Sequence, residues 1–359
     1  MNGYIWSGWV ATFYMYEHGT TMRIEHTFLT CAMSLLVVSS EATSRAKTAL
    51  QPRFQVTAKV IDEAGNPVEG ADVIVGYHVS GGGWSSEAPK FDRVEGETGA
   101  DGRFTGSART RSNFEVVIRV NKDGFYESIR DYEFDRTRVR RWVPWNPEIE
   151  LLLKRKINPI PMYAKREMSE RIPIQGEPVG YDFSRGDWVS PFGKGERADI
   201  HFHSDVDFES RSRYEGELTV SFPNEGDGLL EFRQTGNDYS ELLSDQVAPT
   251  GEYQSQWSWI NRRYRESEDS VRPTLDHDYD KDRHFYFRVR SEVDEHGNVI
   301  RANYGKFYGD IKFYPQTDGG SIVSFEYYFN PEPNNRSLEF HPRRNLLDIS
   351  RSALRPHGP

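Results

Sequence analysis

Between Ile200 and Phe208 the side chains sort into two classes by parity. Ile200, Phe202, Val206 and Phe208 fall on even positions; Asp199, His201, His203, Asp205 and Asp207 fall on odd ones. A period of two is the signature of a β-strand with one apolar and one polar face, whereas a helix repeats every 3.6 residues. The same alternation recurs at Phe54, Val56, Ala58 and Val60, and at Val116, Ile118 and Val120. Turn signals separate such runs at Asp62 to Pro67, Thr98 to Gly106, Glu295 to Asn298 and Asp318 to Gly320. Gly, Pro, Asn and Asp favour turns there because each suits a turn conformation. The pattern predicts an all-β protein: a β-sandwich followed by a second antiparallel β-rich domain. Two local readings go with it. "GELTVSFPNEGDGLLEFRQ" predicts a hairpin closed at Asn224 to Gly228, and "DYSELLSDQ" (Asp238 to Gln246) is the best helix candidate.

The chain has 359 residues, enough for two ordinary domains. Its formal charge of -10 argues against a general nucleic-acid binder, which needs a basic surface. Met22 to Ala46 carries Arg23, an apolar stretch from Phe28 to Val38, and small residues up to Ser44-Arg45-Ala46. That order predicts a signal peptide at 22–46, with residues 1–21 as an upstream extension. The apolar stretch is too short to span a membrane, and no later segment is expected to. Cys31, the only cysteine, lies inside the apolar stretch, so the mature chain would have no disulfide and no thiolate. A secreted or periplasmic bacterial protein is expected.

The elements Val60-x-Asp62-x-x-Gly65-x-Pro67-Val68-x-Gly70-Ala71-x-Val73, Thr98-x-x-x-Gly102-x-Phe104 and Val116-x-Ile118-x-Val120-x-x-x-Gly124-Phe125 occur in this order. Residues 51–154 thereby resemble the carboxypeptidase regulatory-like family. The resemblance implies a transthyretin-like, Ig-like β-sandwich in an accessory role, without catalytic residues. Gly81 to Glu95 is longer than the family's usual connection and reads as a loop. A linker at 155–171, a β-rich domain at 172–347 and a tail at 348–359 complete the expected organisation. The second half, through "PIPMYAKR", "GYDFSRGDWVSPFGKG", "NYGKFYGD" and "YYFNPEPNNRSLEF", is similar to a recurrent segment of uncharacterised exported bacterial proteins.

Four clusters could carry chemistry. His201 and His203 share a strand face and could bind one metal ion if a third ligand converged from elsewhere. Asp276, Asp278, Asp280 and Asp282 alternate as in calcium loops, but Lys281 stands where an EF-hand needs glycine. Trp257 and Trp259, with Tyr253 and Ser255, would form a sugar-stacking platform if exposed, and core if not. Arg136, Arg138, Arg140 and Arg141, beside Trp142 and Trp145, read either as a surface run paired with nearby acids or as an anionic-ligand patch. Gly-x-Ser-x-Gly, His-Glu-x-x-His and Walker motifs are missing. The function expected is therefore non-catalytic binding, adhesion or assembly at the envelope, with no cofactor or metal assigned. The alternatives are a carbohydrate-binding protein and a metal- or carboxylate-dependent hydrolase.

Overall fold

Phe54, Val56, Ala58 and Val60 are fully buried, so the first alternation becomes the first strand of a core. The computed structural model describes residues 51–80, 90–110, 115–234, 238–265 and 272–358. The expected extension, signal peptide and Cys31 lie outside the described residues, as do 81–89 of the Gly81 to Glu95 segment. The rest of that segment is not loop, for Lys90 to Glu95 belong to a strand. In the first half the strands are β1 (Arg53–Asp62), β2 (Asp72–Ser80), β3 (Lys90–Glu97), β4 (Arg103–Arg109), β5 (Glu115–Asn121), β6 (Ser128–Glu133), β7 (Arg136–Arg138), β8 (Arg141–Val143) and β9 (Glu148–Leu153). One sheet runs β4-β1-β8-β7 with β9 also on β1; the other runs β6-β5-β2-β3. Phe54, Val73, Val75, Ile118 and Leu151 fill the space between them. Gly102 turns into β4 at φ +71, where a Cβ would meet the Val60 carbonyl at 2.6 Å.

The second half contributes β10 (Tyr163–Arg171), β11 (Val179–Asp182), β12 (Asp187–Trp188), β13 (Ile200–Ser210), β14 (Arg213–Ser221), β15 (Gly228–Arg233), β16 (Asp238–Ser240), β17 (Gln256–Tyr264), β18 (Thr274–His277), β19 (Arg283–Val293), β20 (Val299–Phe307), β21 (Lys312–Pro315) and β22 (Ser321–Phe329). One sheet runs β10-β22-β20-β19-β15 with β21 on β22, and the other β12-β11-β13-β14-β17-β18. Their inner faces meet in an aromatic core that includes Phe202, Trp259, Phe285, Phe287, Phe325 and Tyr327. The turn at Asp294 to Asn298 joins β19 to β20 as expected.

Two local expectations are corrected, and the expected linker and tail carry structure of their own. The segment around Asn224 to Gly228 is an arch, not a hairpin turn: β14 pairs with β13 and β17, and β15 with β19. Leu218, Val220 and Leu229 enter one core from opposite sheets, which a hairpin could not arrange. Asp238 to Ser240 is not helical but pairs with β6, whose free edge has backbone groups to satisfy. No α-helix occurs among the described residues, and none of their helices is long and apolar enough to cross a membrane. The linker narrows, because Tyr163–Arg171 is a strand on β22. The tail is docked: the His357 backbone N and Nδ1 reach the Glu326 carboxylate at 2.7 and 2.5 Å, and Gly358 N donates to the Tyr328 hydroxyl.

Pro52–Pro359 forms one compact unit. The outer face of the β20–β22 sheet meets the first sandwich through buried polar groups. Glu339, 2% exposed, accepts Ile157 N and Asn158 N at 2.8 Å and the Tyr126 hydroxyl at 3.1 Å. Lys154 Nζ donates to the Leu243 and Ser244 carbonyls. Lys306, 1% exposed, donates to Ser244 Oγ at 3.0 Å and lies over the Tyr328 ring. Burial, and secondarily the nearby Lys154 charge, lower its pKa to about 7, against the pull of Glu339 and Glu326. The unfolded chain keeps this proton up to about pH 10.5, so stability should rise with pH between about 7 and 10.5 and be penalised uniformly below. Replacing the lysine by an apolar chain of similar length, Lys306→Met, should stabilise the protein by a few kcal/mol at neutral pH and remove that rise. Urea denaturation across this pH window measures both effects.

Candidate functional site

β13 turns the expected polar face outward. Ile200 and Phe202 are fully buried, His201 and His203 are half-buried, and Asp205 and Asp207 are exposed. His203 Nε2 lies 3.4 Å from Asp205, and burial lowers the His201 pKa. Across the sheet His201 faces Gly180 and Ser221, and His203 faces Thr219, none of them a metal ligand of the needed kind. Asp276 sits on β18, three strands away, or about 14 Å at ordinary strand spacing. No group of three or more His, Cys, Asp or Glu among the described residues could hold a metal ion. The third ligand that the metal reading of the His201–Asp207 strand requires is not found opposite the two histidines among the described residues.

The Asp276 to Asp282 segment has structural partners instead. Asp276 pairs with Arg262 at 2.7 Å, Asp278 accepts Ile260 N at 2.8 Å, and Asp280 pairs with Arg233 at 2.7 Å. Asp280 is held below its ordinary pKa by the Asp282 N–H and then by Arg233. Paired-carboxylate chemistry separates two acids by their environments. The carboxylates of the His201–Asp207 strand show no such division of setting: Asp205, Asp207 and the opposite Glu215 and Glu217 all share one exposed setting.

The tryptophans belong to the core. Trp259 is 2% exposed, its Nε1 donates to Asp310 at 2.9 Å, and Trp257 packs edge-on against Phe285 at 5.0 Å. Tyr253 leaves the strand and takes Arg288 over its ring. The sugar platform expected from Trp257 and Trp259 is thus corrected: their strand shows solvent Gln256, Ser258 and Ile260 instead.

Asp199, first of the odd-numbered polar residues, is fully buried rather than facing water. It accepts Arg290 Nε at 2.7 Å and Nη2 at 2.9 Å, and Phe183 N at 3.0 Å. Burial raises its pKa despite that pairing. Arg290 also reaches Ser184 Oγ at 2.7 Å and stacks on Phe329. This pair is structural: it locks the Asp182 to Ser184 turn to β19.

The arginines behave differently. Trp142 is buried, and Trp145 carries the Arg141 guanidinium 4.7 Å above its ring. β7 and β8 form a tight hairpin turning at Val139 and Arg140, both at positive φ. Arg138 pairs with Arg141, Arg141 with Arg53, and Arg53 with Arg109, in register across β7, β8, β1 and β4. Directly paired residues project to the same face of a sheet. Since Phe54 and Trp142 point into the core, the row points outward. Arg136 lies two residues from Arg138 on that face. Among the described residues no carboxylate pairs with Arg136, Arg138, Arg140 or Arg141, and Arg53 donates to the neutral Ser107 Oγ. The expected pairing with nearby acids is absent there. Arg53 and Arg109, distant in sequence, join the patch through register alone.

No protein-family model matches the chain, and no curated protein matches it. Among solved structures, the shaft pilin SpaA from Lactobacillus rhamnosus GG shares 10% identity over 67% of this chain and 89% of its own, at a TM-score of 0.20. A streptococcal ancillary pilin shares 10% identity over 63% of this chain and 58% of its own, at 0.18. The bacterial integrin-binding protein invasin shares 10% over 76% and 54%, at 0.16. Likenesses this slight transfer nothing to the chain.

Removing one partner of a buried ion pair leaves the other charge unpaired. Arg290→Met should therefore destabilise the protein by about 3–5 kcal/mol. A chemical denaturation curve measures it, and Arg262→Met at the exposed Asp276 pair should leave the curve nearly unmoved.

Proposed function

We propose that this is a non-catalytic, exported binding or assembly protein that docks an anionic partner on the outward arginine face of its first sandwich. The observation that carries the reading is the row Arg138, Arg141, Arg53 and Arg109 across four strands, with Arg136 and Arg140 beside it. Arginines placed directly opposite one another repel, and each such pair costs stability. A folded protein of net charge -10 has acids enough to neutralise them, yet Arg136, Arg138, Arg140 and Arg141 meet none among the described residues. An anionic partner would relieve that repulsion. Guanidinium groups suit it because their planar forks take carboxylate, sulfate or phosphate oxygens two at a time. The signal-peptide pattern at Met22 to Ala46 supports placement outside the cytoplasm. The carboxypeptidase regulatory-like pattern at 51–154 supports an accessory rather than a catalytic role.

Dextran sulfate is a simple probe. The protein should bind it at low salt and leave neutral dextran alone, with affinity falling as salt screens the contact. Exposed ion pairs contribute up to about 1 kcal/mol each, so Arg53→Ala/Arg138→Ala/Arg141→Ala should weaken binding about tenfold or more. Equal binding by this variant, or none by the parent protein, would refute the proposal.

A further inference from the structure

The same molecule displays a matching face of opposite sign. On the exposed side of β13 and β14, Asp205 pairs in register with Glu217, and Asp207 with Glu215. These are again like charges set directly opposite one another, an arrangement that costs stability. The cations beside them have other partners: Arg262, across from Glu215, is held by Asp276, and Arg213 pairs with Glu209 at 3.2 Å; among the described residues the side chain paired with Asp205 is His203. Each sheet face thus sets like charges opposite one another, and the two faces are complementary in sign.

The two faces cannot meet within one molecule. The arginine row sits at the Arg53 end of β1, while the Asp62 end reaches Arg155 at the junction with the second sandwich. Nine residue steps of strand separate these ends, about 30 Å. The carboxylate block lies on the outer face of the sheet farther from the junction. The β20–β22 sheet, whose Lys306 and Tyr328 face the junction, stands between them.

We infer that the occupant of the arginine face is the carboxylate block of a second copy of this chain, so that copies associate head to tail. This rests on the reading of the arginine face as an anion-docking surface. The contact joins two different patches, and a heterologous contact that does not close into a ring propagates as an open chain. At physiological ionic strength charges are screened beyond about 8 Å, so local complementarity outweighs the repulsion between two bodies of net charge -10.

Sedimentation analysis of the protein tests it. Wild type should form larger species with rising concentration at about 0.15 M salt and dissociate at about 1 M. The arginine-face variant Arg53→Ala/Arg138→Ala/Arg141→Ala should be monomeric. So should the carboxylate-face variant Asp205→Asn/Asp207→Asn/Glu215→Gln/Glu217→Gln. An equimolar mixture of the two retains one intact face on each partner and should stop at a dimer. Wild type monomeric at every concentration, either variant associating as wild type does, or a mixture that stays monomeric would overturn the inference. Arg138→Glu and Glu217→Arg, single changes at exposed positions, repeat the test should a multiple variant fail to fold. The carboxylate-face variant should keep its affinity for dextran sulfate. Arginine-dependent dextran sulfate binding without self-association would remove the second copy as occupant and leave the docking surface standing; loss of both would remove the docking surface as well.

Discussion

One carboxylate, Glu339, fixes how the two sandwiches meet. It accepts two backbone N–H groups of the bridging chain at Ile157 and Asn158, and the hydroxyl of Tyr126 from the first sandwich. A buried carboxylate is tolerable because several donors replace the water it has lost. Around it Lys154 and Lys306 are held against Leu243 and Ser244, on a segment that itself joins the two halves. The junction is therefore polar and directional rather than greasy. Hydrogen bonds of this kind allow few relative orientations, so the charged faces at either end keep a defined disposition.

The parts of the fold legible in the sequence are those governed by local periodicity. β1, β5, β13 and the β19–β20 hairpin follow from alternation and turn chemistry, because the pleat sorts side chains regardless of what lies opposite. Long-range choices were not legible. The arch at Asn224 to Gly228 carries the same turn residues as a hairpin and differs in which sheet receives β15. Asp238 to Gln246 has a mixed apolar spacing that fits a helix, but the open edge of β6 claimed the backbone of its first three residues.

The candidate sites divide along the same line. The outward side chains of β13 were readable, but whether a third ligand faced His201 and His203 depended on pairing with β11 and β14, which brought Gly180, Ser221 and Thr219. Trp257 and Trp259 shared a face as expected; that the face pointed inward depended on the opposing sheet's phenylalanines. The short run Arg136 to Arg141 hinted at the basic face. Its extension through Arg53 and Arg109, like the opposition of Glu215 and Glu217 to Asp207 and Asp205, exists only once register is known.

The pairing of β16 with β6 bears on how the molecule is made. The first sandwich lacks its last edge strand until synthesis has passed Ser240, well into the second half. Until then β6 presents unpaired backbone groups, the kind of edge along which strands of separate chains adhere. The second half thus acts as the closing piece of the first. The early-emerging half must be kept apart from its neighbours until its own later residues arrive.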